Sequence, residues 1–297
     1  MPRPILAAAI LLSLIGGSLA SADEPKPLIV CSTTQVADFA RQVVGDRMEV
    51  RSILAAGQDP HVYEIKPNDA QLVSRSVLCF DNGWHLEGAD WMRKLAANAK
   101  KPITSCVTGA TPLEIEGGAA HDPHAWFSPA NAAVYVRNIR DAVSEYDPDR
   151  KDEYHARSQL YLDQLRSLDG WVRRQLNAIP VEKRILVTSH DAFNYFCREF
   201  NFTPATPVGW STGSEVGGGV TPERRRETVD SIRSFGVRSI FVETSVSPML
   251  IRQIADEAGV QVGGTLYSDS MGPPGSAGET YIGMMRENVL TIAEGLK

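Results

Sequence analysis

The sequence predicts an α/β protein with two parallel-sheet lobes joined by one long rigid helix. In both halves of the chain, short β-branched runs alternate with amphipathic helical patterns, which is typical of βαβ units. Between the halves, apolar residues recur at three- or four-residue steps along residues 148–180, as they do on one face of a helix. The chain of 297 residues is 43% hydrophobic, so it can build full cores.

The elements of each half follow from these runs and from their capping residues. In the first half, Gly45 ends one helix, and Pro67 and Pro129 each open another. The predicted strands are residues 28–32, 48–54, 77–81, 185–189, 239–243 and 262–267. The predicted helices are residues 36–44, 68–75, 130–143, 192–200, 222–235 and 248–258.

The long helix is predicted from Pro148 to Pro180, because proline is tolerated at a helix start and expected beyond a helix end. A helix of about thirty residues is roughly 45 Å long and joins lobes more stiffly than a loop. Gly170 weakens it by about 1 kcal/mol relative to alanine. The predicted lobes are residues 23–147 and 181–297, with residues 148–180 between them.

The first 22 residues read as a secretory signal peptide. Arg3 precedes an apolar stretch too short to span a bilayer, and Ala20-Ser21-Ala22 fits a cleavage site. No cysteine stands at that point, so we expect a periplasmic protein without a lipid anchor. We also expect a monomer. A net charge of −6 argues against nucleic acid as a partner.

Neither the cysteines nor the glycine-rich segment indicates a cofactor site. The cysteines permit disulfides but lack C-x-x-C spacing, and buried thiols are the favoured interpretation; they are Cys31, Cys79, Cys106 and Cys197. Residues 213–219 lack the Lys-Ser/Thr ending of a P-loop and are predicted to form a surface loop.

The tripeptide Asp-Pro-His occurs twice, ending at His61 and at His124. His190 follows the strand ILVTS, and Asp269 follows the strand GTLYS. Each of the four residues lies just beyond a predicted strand or at the start of a helix, where open α/β sheets place their ligands. Two come from each predicted lobe, so we expect them to converge.

Three imidazoles and one carboxylate make a complete ligand set for a divalent transition metal. Taken singly, each residue has a plainer interpretation as a turn, core or helix-capping residue. Their joint placement favours the metal site. We expect no metal role for His85 or His155, whereas His121 lies close enough to His124 to recruit metal weakly.

The chain resembles the metal-specific, cluster A-I family of solute-binding proteins of bacterial ABC importers. The resemblance covers essentially the whole chain after residue 22 and lies in five segments in family order: DPHVYE, DPHAWFSP, VTSHDAFNYF, FVETSVSP and GGTLYSDSMG. It implies two lobes that clamp Zn²⁺ or Mn²⁺ for an inner-membrane permease with a separate ATPase. It also implies the ligands His61, His124, His190 and Asp269.

Two departures from the family's patterns leave the identity of the bound metal undecided between zinc and manganese. Many zinc-specific members have a long loop rich in histidine and acidic residues before the second ligand, and here only His121 is present. Many manganese or iron members have Glu in place of His190, and imidazole favours Zn²⁺. Against this, GGTLYSDSMG resembles members linked to both metals.

Two rival functions are an extracellular zinc hydrolase and a surface adhesin with a structural metal. A hydrolase would use Glu243 as general base, but this residue could equally accept a hydrogen bond from a ligand. The chain has no H-E-x-x-H pair, and four protein ligands leave no position for water. We therefore expect a binding protein and not an enzyme.

Overall fold

The computed structural model describes residues 25–114, 120–206, 222–244 and 248–297. The predicted signal peptide and the glycine-rich segment 213–219 lie outside the described residues. Among the described helices, none is both long enough and apolar enough to cross a membrane.

The N-terminal lobe is a four-stranded parallel sheet in the order β2-β1-β3-β4, flanked by helices. Its central strands β1 and β3 are buried along their whole length, as expected for a sheet covered on both faces. The elements are β1 (Leu28–Cys31), α1 (Thr34–Val44), β2 (Glu49–Ser52), α2 (Pro67–Arg75), β3 (Leu78–Asp81), α3 (Trp91–Asn98), β4 (Ile103–Ser105) and α4 (Pro129–Tyr146).

The long helix α5 spans Lys151–Leu176, which is 26 residues or about 39 Å. It is shorter than the predicted range because Pro148–Arg150 form a separate 3-10 turn and residues 177–179 lie in a turn before Pro180. The predicted apolar stripe is buried, and its members are Tyr154, Tyr161, Leu165, Leu168, Val172 and Leu176. Gly170 lies inside the helix without interrupting it.

The C-terminal lobe contains two parallel strand pairs, β5 with β6 and β7 with β8. Its elements are β5 (Ile185–Val187), α6 (Asn194–Phe200), β6 (Thr203–Ala205), α7 (Pro222–Ser234), β7 (Ser239–Glu243), α8 (Pro248–Ala258), β8 (Gln261–Leu266) and α9 (Tyr281–Gly295). The sequence prediction lacked α3, α9, β4 and β6. The two strands have three residues each, too few to show a period.

The predicted fold class is confirmed: parallel-sheet α/β lobes are joined by one long helix. Helix α5 packs against α1, α4 and α9, so one hydrophobic core runs from the first lobe into the second. A smaller core lies within the C-terminal lobe and includes Val187 of β5 and Ile240 and Val242 of β7. All four cysteines are buried free thiols, as favoured from the sequence.

Candidate metal centre

The structure brings the four predicted ligands to one point. One ligand atom from each of His61, His124, His190 and Asp269 lies within 4.8 Å of the others. His61 lies between β2 and α2, and His124 immediately precedes a 3-10 turn that leads into α4. His190 follows β5, and Asp269 follows β8.

The two Asp-Pro-His tripeptides form the same turn. The Oδ1 atom of Asp59 accepts a hydrogen bond from the backbone N–H of His61 at 2.8 Å. Asp122 Oδ1 accepts one from the N–H of His124 at 2.9 Å. An aspartate commonly bonds the backbone two residues ahead, and the intervening proline fixes its own φ. The repeat therefore presents each imidazole on a short, stiff connection.

Two of the imidazoles also face a buried carboxylate through Nδ1, the nitrogen that points away from the centre. His124 Nδ1 lies 2.8 Å from Asp122 Oδ1. His190 Nδ1 lies 2.6 Å from Glu243 Oε2, and Glu243 Oε1 accepts the backbone N–H of His190 at 3.0 Å. The sequence analysis missed Asp122 as a partner of the ring, although its place two residues before His124 was a usable signal.

Asp269 belongs to the C-terminal half of the chain, yet its loop is bonded to the N-terminal lobe. Gln35 Nε2 donates to the carbonyl oxygen of Ser268 at 3.0 Å, and Met271 N–H donates to Thr34 Oγ1 at 2.8 Å. Ser270 Oγ accepts the N–H of Gly57 at 2.7 Å. Two of the four predicted ligands come from each half of the chain, but hydrogen bonds tie the loop of Asp269 to the side that carries His61 and His124.

The ligands differ in burial and in charge. Burial lowers the pKa of His61 to about 4, although its side chain is 18% exposed. Burial also opposes the charged form of His124, but Asp122 and Asp269 outweigh it and raise the pKa of His124 to about 9. The same balance raises the pKa of His190, where Glu243 and Asp269 outweigh burial. Despite its burial, Asp269 has a pKa well below its usual range because His190 and His124 lie beside it.

Several distances between the candidate ligand atoms are close to those around a tetrahedral metal ion. Bonds of 2.0–2.1 Å from Zn²⁺ to nitrogen imply roughly 3.3–3.4 Å between neighbouring ligand atoms. His61 Nε2 and His124 Nε2 are 3.3 Å apart, and Asp269 Oδ1 is 3.4 Å from His124 Nε2. Asp269 Oδ2 is 3.2 Å from His190 Nε2, and the widest of these contacts, from Asp269 Oδ1 to His61 Nε2, is 3.9 Å.

Asp269 is fully buried, and neither of its carboxylate oxygens makes a well-aligned hydrogen bond with any described residue. His190 Nε2 also lacks one among the same residues. Buried polar atoms without well-aligned hydrogen bonds are costly, and a cation at the centre would satisfy all three at once. The donor set and its geometry therefore fit a divalent transition metal.

The other histidines lie outside this group. His121 pairs with Glu114 at 3.1 Å, and His85 pairs with Asp90 at 3.4 Å. Within the described ranges, the group of four is the sole cluster of three or more histidine, cysteine or acidic residues close enough to hold an ion. His121 therefore does not extend the centre.

The fold and the gathered imidazole and carboxylate groups place the chain among two-lobed α/β proteins that can enclose a metal ion. It belongs to the ZnuA family, described as zinc-uptake complex component A, periplasmic, whose profile matches residues 29–295. This confirms the family resemblance found in the sequence.

Relatives and solved structures agree on the class of protein. The metal ABC transporter substrate-binding lipoprotein SsaB of Streptococcus sanguinis is 33% identical over 301 residues, 98% of this chain and 96% of that protein. The manganese-binding lipoprotein MntA of Halalkalibacterium halodurans is 36% identical over 272 residues, 90% of this chain and 88% of that protein. The periplasmic zinc binding protein TroA from Treponema pallidum matches with a TM-score of 0.83 and 30% identity, covering 91% of this chain and 99% of that chain. These names describe binding proteins and not enzymes, as predicted.

The prediction of a periplasmic protein released by its signal peptide without a lipid anchor is wrong. SsaB and MntA are both named lipoproteins. The prediction depended on the lack of a cysteine beside Ala20-Ser21-Ala22, within residues 1–24 that the structure does not describe. The lack of one residue at one predicted cleavage point does not decide how a protein is held at a membrane.

Proposed function

We propose that this chain is the substrate-binding protein of a metal ABC transporter. It captures Zn²⁺ or Mn²⁺ as cargo and delivers the ion to a membrane permease driven by a separate ATPase. The observation that carries the proposal is the convergence of His61, His124, His190 and Asp269 within 4.8 Å. These four residues are the proposed ligands, and the relatives' names supply the transport role.

Capture without chemistry is favoured by the number of ligands and by the state of Glu243. Four protein ligands leave no position for a reactive water, whereas a catalytic zinc normally keeps one. Glu243 is fully buried and is already engaged with His190, so it is not free to act as the general base of a hydrolase. No contact in the described part of the chain favours the adhesin.

The cargo is proposed as zinc or manganese without a choice between them. Three imidazoles favour Zn²⁺, and the carboxylate is the one hard ligand that suits Mn²⁺. The relatives are divided in the same way, since TroA is named for zinc and MntA for manganese.

We further propose that the chain acts as a monomer, because its four ligands all come from one copy. The proposed division into residues 1–22, 23–147, 148–180 and 181–297 follows the sequence pattern. The boundary between residues 180 and 181 is supported by the end of α5 at Leu176 and the start of β5 at Ile185.

The proposal is tested in two steps. Purified protein is titrated with Zn²⁺ and Mn²⁺ against a chelator, beside His124→Ala and the matched control His155→Ala on α5. We expect tight one-to-one binding that His124→Ala weakens strongly and His155→Ala retains. Deletion of the gene should then impair growth in metal-depleted medium, and added metal should restore it. Normal growth of the deletion strain in depleted medium would contradict the transport role.

A further inference from the structure

We propose that Glu243 is the positioning residue that fixes the imidazole of His190 for metal capture. The inference rests on the proposed function, because it concerns one of the proposed ligands. It assigns a role to a fully buried carboxylate that is not one of the four proposed ligands.

Glu243 is placed by the packing of two strands. It is the last residue of β7, a strand that is buried along its whole length and lies beside β5. Val187 of β5 and Val242 of β7 share the smaller hydrophobic core of the C-terminal lobe. The packing of these two strands brings the end of β7 next to the residues that follow β5, where His190 lies.

One carboxylate holds His190 at two points. Its Oε1 accepts the backbone N–H at 3.0 Å, and its Oε2 lies 2.6 Å from ring Nδ1. The Oε2 contact is at ion-pair distance, but its angles are not those of a hydrogen bond. Asp122 holds His124 through the same two groups, its N–H and its Nδ1. The two carboxylates come from unrelated parts of the sequence and make the same pair of contacts.

This pair of contacts is what a metal-binding imidazole needs. For Nε2 to donate its lone pair to a metal, the ring proton must be on Nδ1, and that N–H requires an acceptor. Glu243 Oε2, at ion-pair distance from Nδ1, is the oxygen available to that proton on His190, and Nε2 is left facing Asp269, 3.2 Å away. The carboxylate fixes the tautomer and the orientation of the ring and makes its nitrogen a stronger donor.

The substitution Glu243→Gln separates this role from packing. Glutamine has nearly the same shape, but its side chain has one acceptor oxygen where glutamate has two. Because Glu243 uses Oε1 for the backbone N–H and Oε2 for the ring of His190, the one oxygen of glutamine can replace either of them but not both. Glu87→Gln is the matched control, because Glu87 is also buried but accepts hydrogen bonds from Ser32 and from the backbone of Asn82, and not from an imidazole.

Zn²⁺ affinity is measured by competition with a chelator for wild type, Glu243→Gln, Glu87→Gln, His190→Ala and the double variant His190→Ala/Glu243→Gln. We expect Glu243→Gln to weaken binding about 10–100-fold, as loss of such an outer partner does. Glu87→Gln should bind like wild type. In the His190→Ala background, Glu243→Gln should cause no further loss, because its effect passes through that ring.

Thermal unfolding of the metal-free variants accompanies the titration, and Glu243→Met serves as a second variant if Glu243→Gln does not fold. Full affinity in either folded variant would overturn the inference while wild-type binding upholds the proposed function. An equal loss with and without His190 would also overturn it, since the effect would then be structural. Absence of Zn²⁺ and Mn²⁺ binding by wild type would instead refute the proposed function itself.

Discussion

The two Asp-Pro-His tripeptides have the same sequence and the same backbone turn, but the pKa values of their histidines are shifted in opposite directions. In both, the aspartate accepts the histidine N–H two residues ahead, at 2.8 Å for His61 and 2.9 Å for His124. Asp122 also reaches the ring of its histidine at 2.8 Å. The pKa of His61 is lowered to about 4, whereas that of His124 is raised to about 9.

The difference teaches that local sequence sets the turn while the surroundings set the chemistry of the ring. His61 is partly exposed and is held through its backbone, so burial of the rest of the ring dominates its pKa. His124 is buried between Asp122 and Asp269, and these charges outweigh the cost of burial. With these pKa values His61 is neutral at neutral pH, whereas His124 has to release a proton before it can bind a metal.

The largest expected effect comes from removing the imidazole of His61 or of His124. Loss of a residue that only hydrogen-bonds to a ligand weakens metal binding by up to roughly 100-fold. We expect His124→Ala, which removes a ligand itself, to weaken Zn²⁺ binding by more than that. His61→Ala should weaken binding less, because the centre retains its three most buried ligands. Chelator competition measures both, with His155→Ala as control. Equal affinities for His61→Ala and wild type would remove His61 from the site.

The second comparison replaces the aspartate of each tripeptide, Asp59 or Asp122, by asparagine and keeps the histidines. Asp122→Asn should weaken Zn²⁺ binding about 10–100-fold, because a neutral amide oxygen is a weaker acceptor than the charged Oδ1 that contacts both the N–H and the ring of His124. Asp59→Asn should have a smaller effect, since its oxygen still accepts the N–H of His61. The two titrations are run side by side. A greater loss in Asp59→Asn would contradict the stated difference between the turns.

Binding should also depend on pH, and the two histidines should contribute differently. A proton on a ligand competes with the metal, so affinity should fall as the pH is lowered from 8 to 5. With a pKa of about 9, His124 is protonated at pH 7.5 without metal and must release that proton, whereas His61, at about 4, is already neutral.

Calorimetry in buffers of different ionisation enthalpy counts the released protons. We expect His124→Ala to lower the count at pH 7.5 and His61→Ala to leave it unchanged. A flat affinity from pH 8 to 5 would argue against histidine ligation.

The smallest effect is expected at Gly88, which supports the first turn alone. A Cβ atom there would lie 1.9 Å from the carbonyl oxygen of His61, so Gly88→Ala must displace this turn. We expect about 1–3 kcal/mol of destabilisation with a modest loss of Zn²⁺ affinity. Gly170→Ala in α5 is the control and should stabilise the protein by about 1 kcal/mol. Unchanged unfolding of Gly88→Ala would show that the turn tolerates the shift.

The sequence was sufficient where the signal was periodic or local. The stripe of α5 and the buried runs of β1 and β3 depend on residues close together in the chain. The pairing of Asp122 with the ring of His124 is also local, but it was not predicted. Contacts between distant residues left no local pattern. Glu243 and His190 are 53 positions apart, and Thr34 and Met271 are 237 apart. The tie between the Asp269 loop and the N-terminal lobe could therefore be seen only in three dimensions.

The central claim is that these three imidazoles and Asp269 bind one ion together. A crystal structure of the zinc-loaded protein, with anomalous data at the zinc edge, tests it most directly. We predict one strong peak about 2.0–2.2 Å from Nε2 of His61, His124 and His190 and from an oxygen of Asp269. A peak elsewhere, or one that any of the four side chains does not reach, would contradict the account.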